Sequence, residues 1–179
     1  MYSIVTVCTG NICRSPMAEF VLRRAFEAAG LAERVRIDSA GVSDEELGNP
    51  VDPRADDLLR REGLDASRHA AQVFDPIRFD DRDLVLALDV VHWRRLRELA
   101  PDGSAAAKVR LLREFDPAIE DLEHDDLGIY DPWYGGPEDF ETTFGMITAA
   151  VPGVVRAVAR ELGADRDSAR VPAQDAGRA

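Results

Sequence analysis

The sequence predicts an α/β fold: a four-stranded parallel sheet with helices on both faces, in three layers. Three observations carry this. Extended and helical patterns alternate along the chain. The runs Ile4-Val5-Thr6-Val7 and Leu84-Val85-Leu86-Ala87-Leu88 are nearly continuous apolar segments, as in strands covered on both sides. Directly after the first run stands Cys8-Thr9-Gly10-Asn11-Ile12-Cys13-Arg14-Ser15, followed by Pro16. That order is a strand, a tight loop and a helix start.

The elements follow in turn. Tyr2–Val7 reads as a buried central strand. Ser15 is placed to cap the next helix with Pro16 at its first position, where a missing N–H costs nothing. Met17, Phe20, Val21, Ala25 and Ala28 recur at helical spacing, and Gly30 ends the element. Val35–Ser39 is a second strand closed by Ala40-Gly41. Asp52-Pro53 opens a second helix with Ala55, Leu58 and Leu59 inward and Gly63 as its stop. After the strand Leu84–Leu88, Asp89 caps a third helix that Pro101 terminates. Lys108–Leu112 is the fourth strand, and residues 113–136 form a long acidic loop. A last helix starts near Pro137. Phe140, Phe144, Ile147, Val151, Val154, Val158 and Leu162 keep its rhythm, and Pro152 is expected to kink it.

The 179 residues suit one domain, read as 1–164, with a polar tail over 165–179 expected to be mobile. The net charge of −12 offers no general attraction for nucleic acid. No apolar stretch reads as a membrane span and no signal peptide is visible, so a cytoplasmic location is expected, with neither nucleic acid nor membrane as partner. Both cysteines lie inside the loop motif, so they are more readily chemical than architectural.

In an open α/β sheet ligands sit beyond the carboxyl ends of the strands, where Cys8 stands. The amides after Cys8 can form a concave nest, and the helix behind them aims its positive end at the same point. Gly10 and Asn11 tolerate left-handed backbone angles. Arg14 offers a planar fork for two oxygens of a phosphate. The same field favours a thiolate on Cys8, to which Ser15 can donate a hydrogen bond. The segment thus reads as a phosphate-binding loop with a sulfur nucleophile at its floor. A buried structural thiol is the plainer alternative, and the agreement of spacing, glycine, arginine, serine and helix start weighs against it.

Phosphoryl transfer to a thiolate needs a proton for the departing oxygen. Asp131-Pro132-Trp133-Tyr134-Gly135 is the best local source: one acid on a rigid turn beside two rings that can wall a slot for a flat group. Spacing alone leaves open a surface turn whose aromatics merely cover the core.

Cys8 through Glu19, together with Asp131–Gly135, resembles the low-molecular-weight protein tyrosine phosphatases. Ser39-Ala40-Gly41, Gly48-Asn49-Pro50 and Asp139-Phe140-Glu141 match further stretches of that family, and the similarity covers roughly residues 2 to 162. The resemblance implies hydrolysis of phosphotyrosine in proteins, with no cofactor and no metal. Cys8 would attack phosphorus, Arg14 would bind the phosphoryl oxygens, and Asp131 would protonate the leaving oxygen. Thr9, Gly10, Asn11, Ile12, Cys13 and Ser15 would surround the oxyanion, whether substrate or inorganic phosphate. Trp133 and Tyr134 would line the ring slot. Asn11, Ser15 and Ser39 would support the loop. Cys13 would trap oxidised Cys8 as a disulfide, with simple packing under the loop as the equal alternative.

Two departures stand out. Family members often carry a histidine four residues before a Gln; here Arg68 holds that place and His69 is three before Gln72. Trp133 replaces a common tyrosine. His92 and His124 read as solvated. Arsenate reduction on the same loop needs further cysteines downstream of Cys13, and there are none. Arginine phosphatases tend to have threonine where Ile12 stands, and an apolar residue there favours an aromatic phosphoester.

Overall fold

The computed structural model describes residues 1–119 and 123–168. Four strands, β1 (Tyr2–Cys8), β2 (Val35–Gly41), β3 (Leu84–Ala87) and β4 (Val109–Leu111), form one sheet in the order β2-β1-β3-β4. Every pairing is parallel. The apolar run Ile4–Val7 is therefore central, and its side chains are buried on both sides.

Helices α1 (Arg14–Ala28), α2 (Pro53–Arg61) and α5 (Pro137–Ser168) cover one face. Their core contains Ile4, Ile37, Leu86, Met17, Phe26, Leu59 and Phe140. Helices α3 (Val90–Leu99) and α4 (Gly103–Ala107) cover the other, over Val5, Val7, Val85, Ala87 and Leu96. Residues of β1 alternate between the two cores, which is the pleat of a strand buried on both faces. The three layers match the expected architecture.

The elements differ from expectation in a few places. Helix α1 begins two residues early, at Arg14 rather than Pro16, so Ser15 is inside the first turn rather than at the cap. Cys13 takes the cap position and makes no side-chain cap bond. Asp52 and Asp89 do cap α2 and α3, accepting from the backbone N–H of Arg54 and Val91. Helix α4 breaks what reads as a connector; its cap Asp102 accepts from Ala105 N. The long acidic loop holds 3-10 turns at Leu112–Phe115 and His124–Asp126.

Helix α5 runs through Pro152 and reaches Ser168, beyond the expected domain limit at 164. The rest of the expected tail, 169–179, lies outside the described residues. Its segment Pro137–Gly163 is long and apolar enough to cross a membrane by length and composition, which the sequence reading missed. The reason is visible in its packing: Phe140, Ile147, Val151, Val154 and Val158 form a stripe buried in the core. A core helix and a span share that composition.

Candidate active site

The loop Cys8–Ser15 closes over the carboxyl end of β1. Its shape rests on Asn11, whose φ of 61° is the only positive value among described non-glycine residues. Asparagine tolerates this region. Gly10 does not share it. A Cβ at Gly10 would come within 2.8 Å of Glu46 Cγ, so a side chain there would displace Glu46.

Asn11 is fully buried and is the hub of the support. Its Nδ2 donates to Ser15 Oγ at 2.9 Å and to Ser39 Oγ at 2.8 Å, and its Oδ1 accepts from Gln72 N at 2.9 Å. Ser39 in turn donates to Glu19, a buried carboxyl that the sequence reading did not single out. Burial raises the Glu19 pKa, against the lowering pull of Ser39 and Arg23. His69 Nε2 stands 2.7 Å from the carbonyl oxygen of Asn11. Despite its shift along the sequence, His69 reaches the loop, because the chain after α2 is tied back by Ala71 N to Asn49 O and Gly48 N to Ala71 O.

Cys8 Sγ lies 3.0 Å from Ser15 Oγ and receives the amide of Asn11 at 3.3 Å. The hydroxyl that fails to cap α1 thus faces the thiol. Cys13 is buried and free. Burial first, and the nearby Asp52 carboxylate second, push its thiol pKa well above the ordinary value.

Arg14 is almost fully buried. Its NH1 reaches Asp89 at 3.5 Å and the carbonyl of Ile129 at 3.3 Å, and its NH2 reaches Asp131 at 2.5 Å. Asp131 also caps its own turn by accepting from Trp133 N at 3.1 Å. Helix α5 steadies that turn: Thr143 Oγ1 donates to Tyr130 O, and the Tyr130 hydroxyl donates to Asp139. Arg54 donates to the carbonyls of Trp133 and Gly135 from the other side.

These pieces line one cleft of about 230 Å³: Cys8, Thr9, Gly10, Ile12, Cys13, Arg14, Asp131, Trp133 and Tyr134, with Glu45 and Glu46 at its rim. Tyr134 is 96% exposed and Trp133 39%, so the rings stand as walls rather than as core cover. Glu45 and Glu46 were not foreseen, since acids in an acidic stretch carry no signal of their own. Asn11 and Ser15, expected among the residues around the oxyanion, do not line the cleft; their side chains meet each other and Asn11 also meets Ser39 on its far side.

A model of the low molecular weight phosphotyrosine protein phosphatase family matches residues 3–164. The chain belongs to this family of protein-tyrosine phosphatases. A low molecular weight protein-tyrosine-phosphatase of Streptomyces coelicolor is 47% identical over 161 residues, covering 90% of this chain and 96% of that one. The human low molecular weight phosphotyrosine protein phosphatase is 38% identical, covering 79% and 86%. The crystal structure of YfkJ from Bacillus subtilis superposes with a TM-score of 0.80 at 30% identity, covering 90% and 96%.

One family-independent detail corrects the sequence reading. His92 is not solvated. It is 1% exposed, and its Nε2 lies 2.9 Å from Thr9 Oγ1 on the loop. Its pKa is lowered to about 3, chiefly by burial and then by the Arg14 charge. His124 is exposed, as expected, and packs edge-on against Trp93.

Proposed function

We propose that this phosphatase hydrolyses phosphotyrosine in proteins through a phosphocysteine intermediate on Cys8. The observation that carries the reading is the convergence of Cys8, Arg14 and Asp131 on one cleft, with Ser15 Oγ at hydrogen-bond distance from the thiol. In the first step the Cys8 thiolate attacks phosphorus. The S–P bond forms as the P–O bond to the ring breaks, and the Asp131 carboxyl gives its proton to the departing phenolate oxygen. In the second step Asp131, now a carboxylate, takes a proton from water. The water oxygen attacks phosphorus, the S–P bond breaks, and the Ser15 hydroxyl stabilises the departing thiolate.

Throughout, the Arg14 fork and the loop amides bind the equatorial oxygens, where charge is concentrated. Trp133 and Tyr134 wall the phosphotyrosine ring, and Ile12 in the cleft favours an aryl ester over a phosphoguanidine. Cys13 lines the same cleft and is the thiol available to condense with a Cys8 sulfenic acid, releasing water and forming a reversible disulfide; burial, which holds it protonated, slows that step. Such thiols persist in a reducing compartment, in keeping with a cytoplasmic enzyme.

Turnover of an aryl phosphate in the presence of EDTA tests the reading. Acid quench during turnover should trap phosphate on the Cys8 peptide, and Cys8→Ser should abolish both signals. Retained activity in Cys8→Ser, or a strict metal requirement, would sink the mechanism.

A further inference from the structure

We infer that His92 is a positioning residue that turns Thr9 into a hydrogen-bond donor for the phosphoryl group. The proposal rests on the assignment of this cleft as the phosphate site. Helix α3 places His92 one turn after its Asp89 cap. Asp89 meets Arg14 and His92 meets Thr9, so α3 touches both ends of the loop. Thr9 is exposed and lines the cleft, whereas the imidazole behind it is buried.

The tautomer decides what Thr9 can do. His92 Nδ1 is buried and has no partner. A proton there would leave a buried N–H without an acceptor, the rarer and costlier defect. The proton therefore sits on Nε2 and is donated to Thr9 Oγ1. Burial keeps the ring uncharged, so one ring nitrogen alone carries a proton. Thr9 Oγ1 accepts this bond, and its own hydroxyl proton is left to point into the cleft. A threonine donating in this way adds one directed donor to the loop amides, and its rotamer is held by a residue that never touches substrate.

The test uses Thr9→Val, Thr9→Ser, His92→Leu and His92→Gln in the full chain. A hydrogen bond to an anionic oxygen predicts a loss of about 10–100-fold in affinity for inorganic phosphate and in kcat/KM for an aryl phosphate with Thr9→Val. His92→Leu should give a similar loss, and the double variant no further one, because both act on one interaction. Thr9→Ser keeps the hydroxyl, and His92→Gln puts an amide N–H near the Nε2 position; both should retain most of the affinity. Nitrogen-15 NMR should find the His92 proton on Nε2. Thr9→Val is a surface change, so it reads out even if His92→Leu folds poorly. Unchanged phosphate affinity in Thr9→Val, additive losses, or a proton on Nδ1 would overturn the inference. Absence of aryl phosphate turnover by the wild-type chain would instead overturn the assignment of the activity.

Discussion

Two arginines are almost fully buried near opposite ends of β1, and they are held in opposite ways. Arg82 is enclosed by its partners. Its NH2 meets Asp38 at 2.7 Å, and its NH1 meets Asp81 at 2.9 Å and Ser3 Oγ at 3.1 Å. Arg78 adds a second cation on the same Asp38 oxygen, at 2.6 Å. Arg14 is just as buried, but its strongest partner, Asp131, is a half-exposed acid on a turn, and its contact with Asp89 is long at 3.5 Å. The first arrangement is a structural tie, with the Arg82 Nε and Asp38 Oδ1 buried without partners. In the second, on the proposed mechanism, the partner gives way to phosphate oxygens. Burial by itself does not distinguish a working arginine from a structural one; the exposure of the acid it holds closest does.

The contrast can be broken by substitution. The largest effect belongs to Arg14→Ala, which should lower kcat by about 10³-fold or more while leaving a folded protein; comparable losses in Arg82→Met would erase the distinction. Next comes Asp131→Asn, with a loss of about 10²–10⁴-fold for poor leaving groups and much less for good ones. A leaving-group series measures this, and an equal loss across the series would remove Asp131 from the acid role. Arg82→Met should leave kcat/KM unchanged below the unfolding transition, yet cost about 3 kcal/mol in chemical denaturation, since Asp38 loses one of its two cations.

The effect smallest near neutral pH is a pH dependence. His92 has a pKa depressed to about 3 from 6.5. As pH falls below 6.5 the unfolded chain binds a proton that the folded one refuses, so stability present above that value is lost between about pH 6.5 and 3. His92→Gln should show a shallower loss of stability over this window. A slope identical to wild type would place the ring in a more solvated setting than its burial indicates.

Much of the site is legible in the sequence because its chemistry is contiguous. Cys8 to Ser15 carries nucleophile, arginine and helix start in eight residues, and local geometry does the rest. The sheet is equally legible, since a strand buried on both faces cannot hide its composition. What escaped was decided by distant packing. Ser15 reads as a cap by residue type, but its Oγ accepts from Asn11, and Cys8 and the Ala40 carbonyl lie within reach of its proton. His92 reads as one polar residue on a helix, and only the docking of α3 against the loop buries it. His69 reads as misplaced by one residue, and the path of the chain between Gly48 and Ala71 restores its reach. Glu19 lies on a helix rich in charge, and nothing local marks it as the acid beneath Ser39.

The bond between Arg14 and Asp131 spans 117 positions, and the turn that offers Asp131 is itself tied down by Thr143 and Asp139 of the final helix. On the proposed mechanism the acid comes into place only when α5 docks, and the same helix completes the core under α1. Hydrolysis of a poor leaving group should therefore be lost together with the native core.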